Sequence, residues 1–362
     1  MSERVLVAMS GGVDSSVAAA LLVEEGHEVV GVTMRLWGGE SDTGCCSVAD
    51  VDDARRVAQQ LGIDHVVFNF TDDFDAAVVQ PYVDAHRSGL TPNPCIECNR
   101  HLKFDRLLER AAMLDFHAIA TGHHARVVER DGRVELHRGV DTAKDQSYVV
   151  HMLTQEQLAR TRFPVGSMTK AEVRAHAERL GLRTAAKPDS QDVCFITASA
   201  GREAFLGARI PFRSAEVVDT SGVPVGEVEA VEMVTLGQRR GLGLPGGGPK
   251  RYVVDIDVEA RRVQVGTARD LATAGVVVGQ MTWVAGAVEI GDEVLAQCSA
   301  HGARRRVVVR SVDDEAASVM LDWVRPEPAV APGQSVVLYD VDDRRVLGGG
   351  LLVESISPVR RR

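Results

Sequence analysis

Aromatic side chains are scarce in this chain, at 4% of 362 residues, so a broad base-stacking platform for single-stranded nucleic acid is not built into it. Positive charge is outnumbered. The 41 Lys and Arg against 51 Asp and Glu leave a formal net charge of −10, which argues against a general nucleic-acid coat protein but leaves room for local basic patches. No apolar run approaches the ~20 residues of a membrane span. Met1-Ser2-Glu3-Arg4 leads into a strand-like run without the apolar stretch of a signal peptide, so a cytoplasmic protein without membrane contact is the expectation. Six cysteines in so long a chain do not make a secreted disulfide framework. What remains is an ordinary globular balance, 45% hydrophobic and 25% charged, with length for two or three domains.

The first third alternates strand and helix patterns. Apolar runs at Arg4 to Met9, Glu28 to Met34, His65 to Phe70 and His117 to Ala120 read as strands. Between them, Val13 to Glu25, Asp50 to Leu61 and Lys103 to Leu114 carry helical spacing. Repeated βα units predict a doubly wound parallel sheet in an α/β domain, with ligands beyond the carboxyl ends of its strands. Thr154 to Leu180 reads as helical, with Thr169-Lys170-Ala171-Glu172 as a capping start. Past Gly207 the texture changes to short β-like runs separated by Gly, Pro and Asp, with a break expected near Ala274 to Gln280.

Ser10-Gly11-Gly12-Val13-Asp14-Ser15-Ser16 follows the first strand and opens the first helix. Free N–H groups at a helix N-terminus, glycines that admit an anion and nearby hydroxyls make a phosphate cradle. Asp14 would oppose phosphate unless it holds Mg²⁺ or orients the loop. A tight turn with Ser or Asp caps is the plainer alternative, but the full heptad in a βα context favours the cradle. The Gly-Lys-Ser/Thr ending of a Walker A loop is missing. The segment resembles the signature of the ATP pyrophosphatase (PP-loop) superfamily, whose members cleave ATP between the α- and β-phosphates to form adenylates.

Cys95-Ile96-Glu97-Cys98 follows the stiff stretch Thr91-Pro92-Asn93-Pro94 at a predicted helix start. There the helix dipole favours thiolate, and the spacing puts both sulfurs on one face. Structural zinc, an iron–sulfur cluster and a redox or sulfur-carrying pair are all open. Zinc needs four ligands, no second Cys-x-x-Cys exists, and His101 is a weak local third. Cys194, far off in Asp189-Ser190-Gln191-Asp192-Val193-Cys194-Phe195-Ile196, would by itself read as a core cysteine.

Taken with the glycine loop, these segments and Ala120-Thr121-Gly122-His123-His124-Ala125-Arg126, Lys144-Asp145-Gln146-Ser147-Tyr148 and Thr235-Leu236-Gly237-Gln238-Arg239-Arg240 resemble, in order and over nearly the whole chain, the bacterial tRNA-specific 2-thiouridylase family. The resemblance implies three parts: a PP-loop catalytic domain (1–206), adenine nucleotide alpha hydrolase-like in fold, a small central β-rich domain (207–274) and a C-terminal β-barrel (275–362). It implies ATP-dependent replacement of the C2 oxygen of the wobble uridine by sulfur, in tRNAs for Lys, Glu and Gln, with ATP and Mg²⁺ required. A cysteine desulfurase or a sulfur-relay protein would supply the sulfur.

By the same resemblance, Ala8, Met9, Ser10, Gly11, Gly12, Val13, Asp14 and Ser15 hold the nucleotide with Met34 and Gly122. Cys98 is the nucleophile and Cys194 bears the persulfide, the two ending as a disulfide bond. His124, Lys144, Asp145, Gln146 and Gln334 meet tRNA, and Asn93 to Cys95 lie against the target base. Many family members carry Asp where this chain has Cys95. With Cys95, Cys98 and Cys194 as candidate ligands, an iron–sulfur cluster with one open iron is the alternative route. Other PP-loop ligating or amidating enzymes, and a non-catalytic RNA-binding ATP sensor, stand as competing functions.

Several signals carry less. Gly241 to Gly246 fits a dinucleotide-binding pattern literally, but contains Pro245 and leads into no helix. With Gln238 to Arg240 and Lys250-Arg251 it reads as a loop reaching RNA phosphate, or as a solvated hairpin loop. Arg304 to Arg306 and Arg360 to Arg362 could face tRNA but read first as solvated charge, Cys45-Cys46 as nonessential and Cys298 as core.

Overall fold

The computed structural model describes residues 2–38, 47–189, 193–196, 201–245, 248–284 and 286–358. Strands β1 (Arg4–Ala8), β2 (Glu28–Arg35), β3 (Asp64–Asn69), β4 (Ala118–Ala120) and, beyond a hairpin β5 (Ala125–Arg130)–β6 (Arg133–Arg138), β7 (Thr161–Arg162) build the first domain. Its parallel sheet runs β3-β2-β1-β4-β7. The period-2 alternation of β1 does what the sequence suggests. Leu6 and Ala8 enter one core layer, while Val5 and Val7 enter the other, beneath helices α1 (Val13–Glu24) and α2 (Val48–Leu61). Because the chain steps from β1 outward to β3 and returns on the far side at β4, the sheet has a switch point between β1 and β4. Crevices at such points, beyond the carboxyl ends of the strands, are where open α/β sheets take ligands.

β8 (Ala215–Asp219), β9 (Pro224–Val228), β10 (Tyr252–Asp257) and β11 (Arg262–Gly266) form a four-stranded sheet over Val217, Val253 and Val263. β12 (Ala272–Trp283), β13 (Glu293–Gln297), β14 (Arg305–Asp313), β15 (Ser318–Pro328), β16 (Ser335–Tyr339) and β17 (Val346–Ile356) close a barrel in the order β12-β15-β14-β13-β16-β17. Among the described residues no helix is long and apolar enough to cross a membrane.

Three expectations need correction. Thr154 to Leu180 is not one helix: Gln155–Ala159 is followed by β7 and a 3₁₀ turn before the helix Lys170–Arg179 begins. Pro164 stops any continuation, and Gly166 sits where an added Cβ would overlap the Ala125 carbonyl. The break expected at Ala274 to Gln280 lies inside β12, where Gly275 reads as punctuation yet is required by the close approach of Leu321 backbone across the barrel. The helix expected from Lys103 starts earlier and winds as a π-helix over Cys98–Arg106 before continuing as Leu107–Met113.

The barrel is fused to the catalytic domain through a buried charge. Val337, Tyr339 and Val346 join the core that contains Leu136 and Tyr148. Within it the Arg138 guanidinium reaches Asp145 at 2.5 Å, Asp343 at 2.7 Å and Gln297 Oε1 at 2.9 Å, and lies 3.5 Å from the centre of the Tyr339 ring. Breaking such a pair strands a carboxylate in protein, which costs about 3 kcal/mol or more. Arg138→Met is therefore expected to lower the urea-unfolding midpoint by an amount equivalent to roughly 3 kcal/mol. An unchanged midpoint would show that the barrel is held by its apolar contacts alone.

Candidate active site

Gly11 takes φ +73°, and an added Cβ would overlap the Asp50 backbone, so only glycine turns the chain here. Gly12 then acts as N-cap of α1 with no side-chain cap, leaving the first N–H groups of the helix for an incoming anion. The serines hydrogen-bond within the loop. Ser15 Oγ and Ser16 Oγ donate to the Gly12 carbonyl at 3.2 and 2.8 Å, and Ser10 N donates to Ser15 Oγ at 3.2 Å. They hold the cradle's shape from within. Gly122, just after β4, packs so closely on Asp14 and Ser15 that any side chain would collide. The loop after β1 and the turn after β4 thus face each other across the switch point.

Between them lies a cavity of about 450 Å³ lined by Ala8, Met9, Ser10, Gly12, Val13, Asp14, Ser15, Met34 and Gly122, with Lys103, Lys144, Lys170 and Lys187 at its walls. Gly11, the remaining residue expected to hold nucleotide, lies buried in the same loop beneath this lining. A larger groove of about 670 Å³ lies elsewhere, lined by Asp73, Asp105, Glu109 and Glu156 among others; its carboxylates suit a nucleotide poorly.

Asp14 is held from two sides: Lys170 Nζ is 2.7 Å from both carboxylate oxygens, and His124 Nε2 donates to Oδ1 at 3.2 Å. Burial pushes its carboxyl up, but these partners outweigh burial and hold it below the ordinary aspartate value. Lys170 also meets Asp189 at 2.9 Å, and Lys144 meets Asp189 at 2.8 Å. Lys187 donates to the Gly11 carbonyl at 3.0 Å and pairs with Asp50 and with Asp53 at 2.8 Å. Sequence reasoning singled out Lys144 but missed Lys170 and Lys187. Lys170 was read as one member of a capping box, which Thr169 and Glu172 do form, and nothing in the spacing pointed it at Asp14, 156 residues away.

The residues expected to meet tRNA have varied surroundings. His124 is buried, and its Nδ1 has no hydrogen-bond partner. The Asp145 carboxylate is 5% exposed and bound to Arg138. Gln146 Oε1 accepts from His124 N at 2.9 Å. Lys144 is more open, at 37%. Gln334 Nε2 donates to the Thr91 carbonyl, and Thr91 N donates to the Pro332 carbonyl at 2.8 Å, so a barrel loop grips the stretch before the cysteines. His123, packed between Phe104 and Phe163, is buried, and burial pushes it well below the usual histidine range.

Asn93 is N-cap of a short turn, Pro94–Glu97, and its side chain accepts from Cys95 N at 3.1 Å. Cys95 presents itself to solvent, yet enough protein is packed around it that desolvation pushes its thiol up, against the pull of Lys103. This reverses the thiolate expected from the helix dipole at that position. Cys98 is buried in the core cluster, and Cys194 packs against the same cluster. The ends of the stretch carrying Cys194 are anchored: Asp189 by its cations, Phe195 by the rings of Phe74, Tyr82 and Phe205 at 5.1–5.6 Å. Ser190 to Asp192, Cys45-Cys46 and Arg360 to Arg362 lie outside the described residues. Among the described residues no three His, Cys, Asp or Glu side chains gather to hold a metal, so Cys95, Cys98 and Cys194 are not assembled as a ligand set. His101 instead faces Glu97 and Asp105, at 3.4 and 3.5 Å.

Away from the cavity, Arg304, Arg305 and Arg306 each face a carboxylate. Leu242 is buried in the central core, and Cys298 is buried with its thiol pushed up to about 11.

The fold and loop define a nucleotide-binding α/β domain of the HUP class joined to two β modules. Family models match accordingly: "tRNA methyl transferase HUP domain" over residues 3–198, "tRNA methyl transferase PRC-barrel domain" over 203–267 and "Aminomethyltransferase beta-barrel domain" over 273–352. The "tRNA-specific 2-thiouridylase MnmA" of Heliobacterium modesticaldum is 42% identical, covering 99% of this chain and 94% of its own length. Those of Mycobacteroides abscessus (46% identical, 96% of this chain, 99% of its own) and Corynebacterium kroppenstedtii (44%, 98% and 96%) are similar throughout. The chain belongs to the tRNA-specific 2-thiouridylase family.

Lys144 and Lys170 hold the Asp189 carboxyl down at about 2, against the upward push of burial. A depressed carboxyl stabilises the fold above its unfolded value, and that contribution is lost as pH falls toward the folded one. Asp189→Asn is thus expected to lower stability at neutral pH by on the order of 2 kcal/mol. The gap to the parent should shrink as pH is taken from about 5 to about 3 in thermal melts. A gap constant with pH would mean that Asp189 acts through shape, not charge.

Proposed function

We propose that this enzyme replaces the C2 oxygen of the wobble uridine of tRNA with sulfur, in the Lys, Glu and Gln isoacceptors, at the expense of ATP. One juxtaposition carries the reading: the helix that begins at Cys98 also sends Lys103 into the nucleotide cavity, so the thiol-bearing helix reaches the adenylation site. The family relationship across the whole chain supports it.

Oxygen at C2 is a poor leaving group. Uridine O2 attacks the α-phosphorus, the bond to pyrophosphate breaks, and the N3 proton is released to solvent. The terminal sulfur of a Cys194 persulfide then attacks C2, and AMP departs with the C–O electron pair. The Cys98 thiolate attacks the Cys194 sulfur, leaving 2-thiouridine and a Cys98–Cys194 disulfide that an external thiol must reduce. Mg²⁺ arriving with ATP would neutralise phosphate charge, while Asp14, its two oxygens already taken by Lys170, orients the loop. Among the described residues the three thiols are not assembled as a ligand set, so no step is routed through a cluster.

Lys144 and the barrel loop at Gln334 serve as the tRNA-facing contacts, with His124, Asp145 and Gln146 setting their positions from beneath. A cysteine desulfurase or a relay protein fed by one delivers the sulfur.

Mass spectrometry of tRNA nucleosides after incubation with ATP, Mg²⁺ and a sulfur donor should detect 2-thiouridine. Cys98→Ser and Cys194→Ser are each expected to cut its formation by at least ~100-fold while pyrophosphate release with tRNA stays within about threefold. Thiolation that survives both substitutions would sink the proposal.

A further inference from the structure

Four lysines line the nucleotide cavity, and three are already engaged. Lys144 is on Asp189, Lys170 on Asp14 and Asp189, and Lys187 on Asp50 and Asp53. All three come from the segment 144–187, behind the phosphate loop. Lys103 comes from the cysteine helix, and among the described residues it has no hydrogen bond or ion pair. An ammonium held half-buried without a counter-ion is costly unless an anion arrives to meet it.

The helix geometry explains its position. In a π-helix the ladder runs i→i+5, and this wider winding brings residues 98 and 103 nearer in direction around the axis than an α-helix would. An α-helical course would rotate Lys103 away from the face that carries Cys98. From this stretch, whose first residue Cys98 is buried in the core, Lys103 lines the cavity. Its field reaches both sides, pulling against the rise of the Cys95 thiol and helping to keep buried His123 neutral.

We propose that Lys103 is a catalytic residue whose ammonium meets the α-phosphate of ATP and remains on that phosphate, as part of the uridine adenylate, while sulfur attacks C2. The inference rests on the thiolation reading and adds a residue to it. As the O2–P bond forms and the bond to pyrophosphate breaks, negative charge builds on the non-bridging oxygens of the α-phosphate. As the C2–S bond forms and the C2–O bond breaks, the electron pair leaves on AMP. The same cation stabilises both, and most strongly in the transition states.

The test uses full-length protein with unmodified tRNA, ATP and Mg²⁺, comparing the parent with Lys103→Met and Lys103→Arg, whose folding is checked by circular dichroism. Lys103→Met is expected to bind ATP within about tenfold of the parent but to release tRNA-dependent pyrophosphate ~100-fold more slowly. Lys103→Arg should recover a substantial part of that rate. Iodoacetamide labelling of Cys95 in Lys103→Met should slow by about threefold at a fixed mildly alkaline pH, a change that a purely structural role would not produce. Pyrophosphate release at the parent rate in Lys103→Met overturns the assignment. So does a loss that Arg does not relieve, with unchanged labelling. If the parent itself releases no pyrophosphate with tRNA, the thiolation reading fails first, and the role of Lys103 falls with it.

Discussion

Lys170 is the cation on which the site depends. Its ammonium lies 2.7 Å from both oxygens of Asp14, in the phosphate loop, and 2.9 Å from Asp189, five residues before Cys194. One charge therefore ties the segment that receives ATP to the segment that carries the second cysteine. Arg174 reinforces the tie, donating to the carbonyls of Ala185 and Lys187 and to Asp189 at 2.9 Å. An exposed network of this kind would contribute little, but these side chains are mostly sheltered, and a partner removed here leaves a charge with nowhere to go.

A second charge cluster fixes the modules relative to this site. Arg138 satisfies Asp145 from the catalytic domain and Asp343 from the barrel, while Gln334 and Pro332 grip Thr91. Both links run from the barrel to a stretch next to the cavity: Lys144 to Gln146 in one case, Asn93 to Cys98 in the other. A tRNA that contacts the barrel would therefore press on the loops that bear the reactive groups. Such coupling needs no long relay, since each link is a single hydrogen-bonded step.

What sequence could and could not show follows from the range of each interaction. The βα alternation, the glycine loop, the Thr169 capping box and the later β texture were legible because periodicity and turn chemistry are local. The two-residue β7 and the hairpin β5–β6 were not, since β7 exists only as a partner of Ile119 and Ala120. Gly275 looked like a boundary because the backbone that requires it is 46 residues away in sequence. In the site, Asp14, Gly122 and the cysteines were visible as motifs. Lys103, Lys170 and Lys187 were not, because a lysine at a helix start or in a loop is ordinarily solvated and only tertiary placement gives it a carboxylate or a phosphate to meet.

Cys95 brings these threads together. At the position where the resemblance leads us to expect Asp, this chain has a thiol that burial pushes toward its neutral form. A carboxylate there would share the short turn with Cys98 and lie within the field of Lys103, giving that ammonium a resident counter-ion. A neutral thiol gives it none. The substitution removes one negative charge from the wall between the nucleotide cavity and the sulfur chemistry, and the net field on that wall becomes more positive by the same amount. An adenylated base carries its negative charge on the phosphate, so a more positive wall favours the bound intermediate. With the transfer proposed for Cys98 and Cys194, Cys95 bears on the site first through its charge.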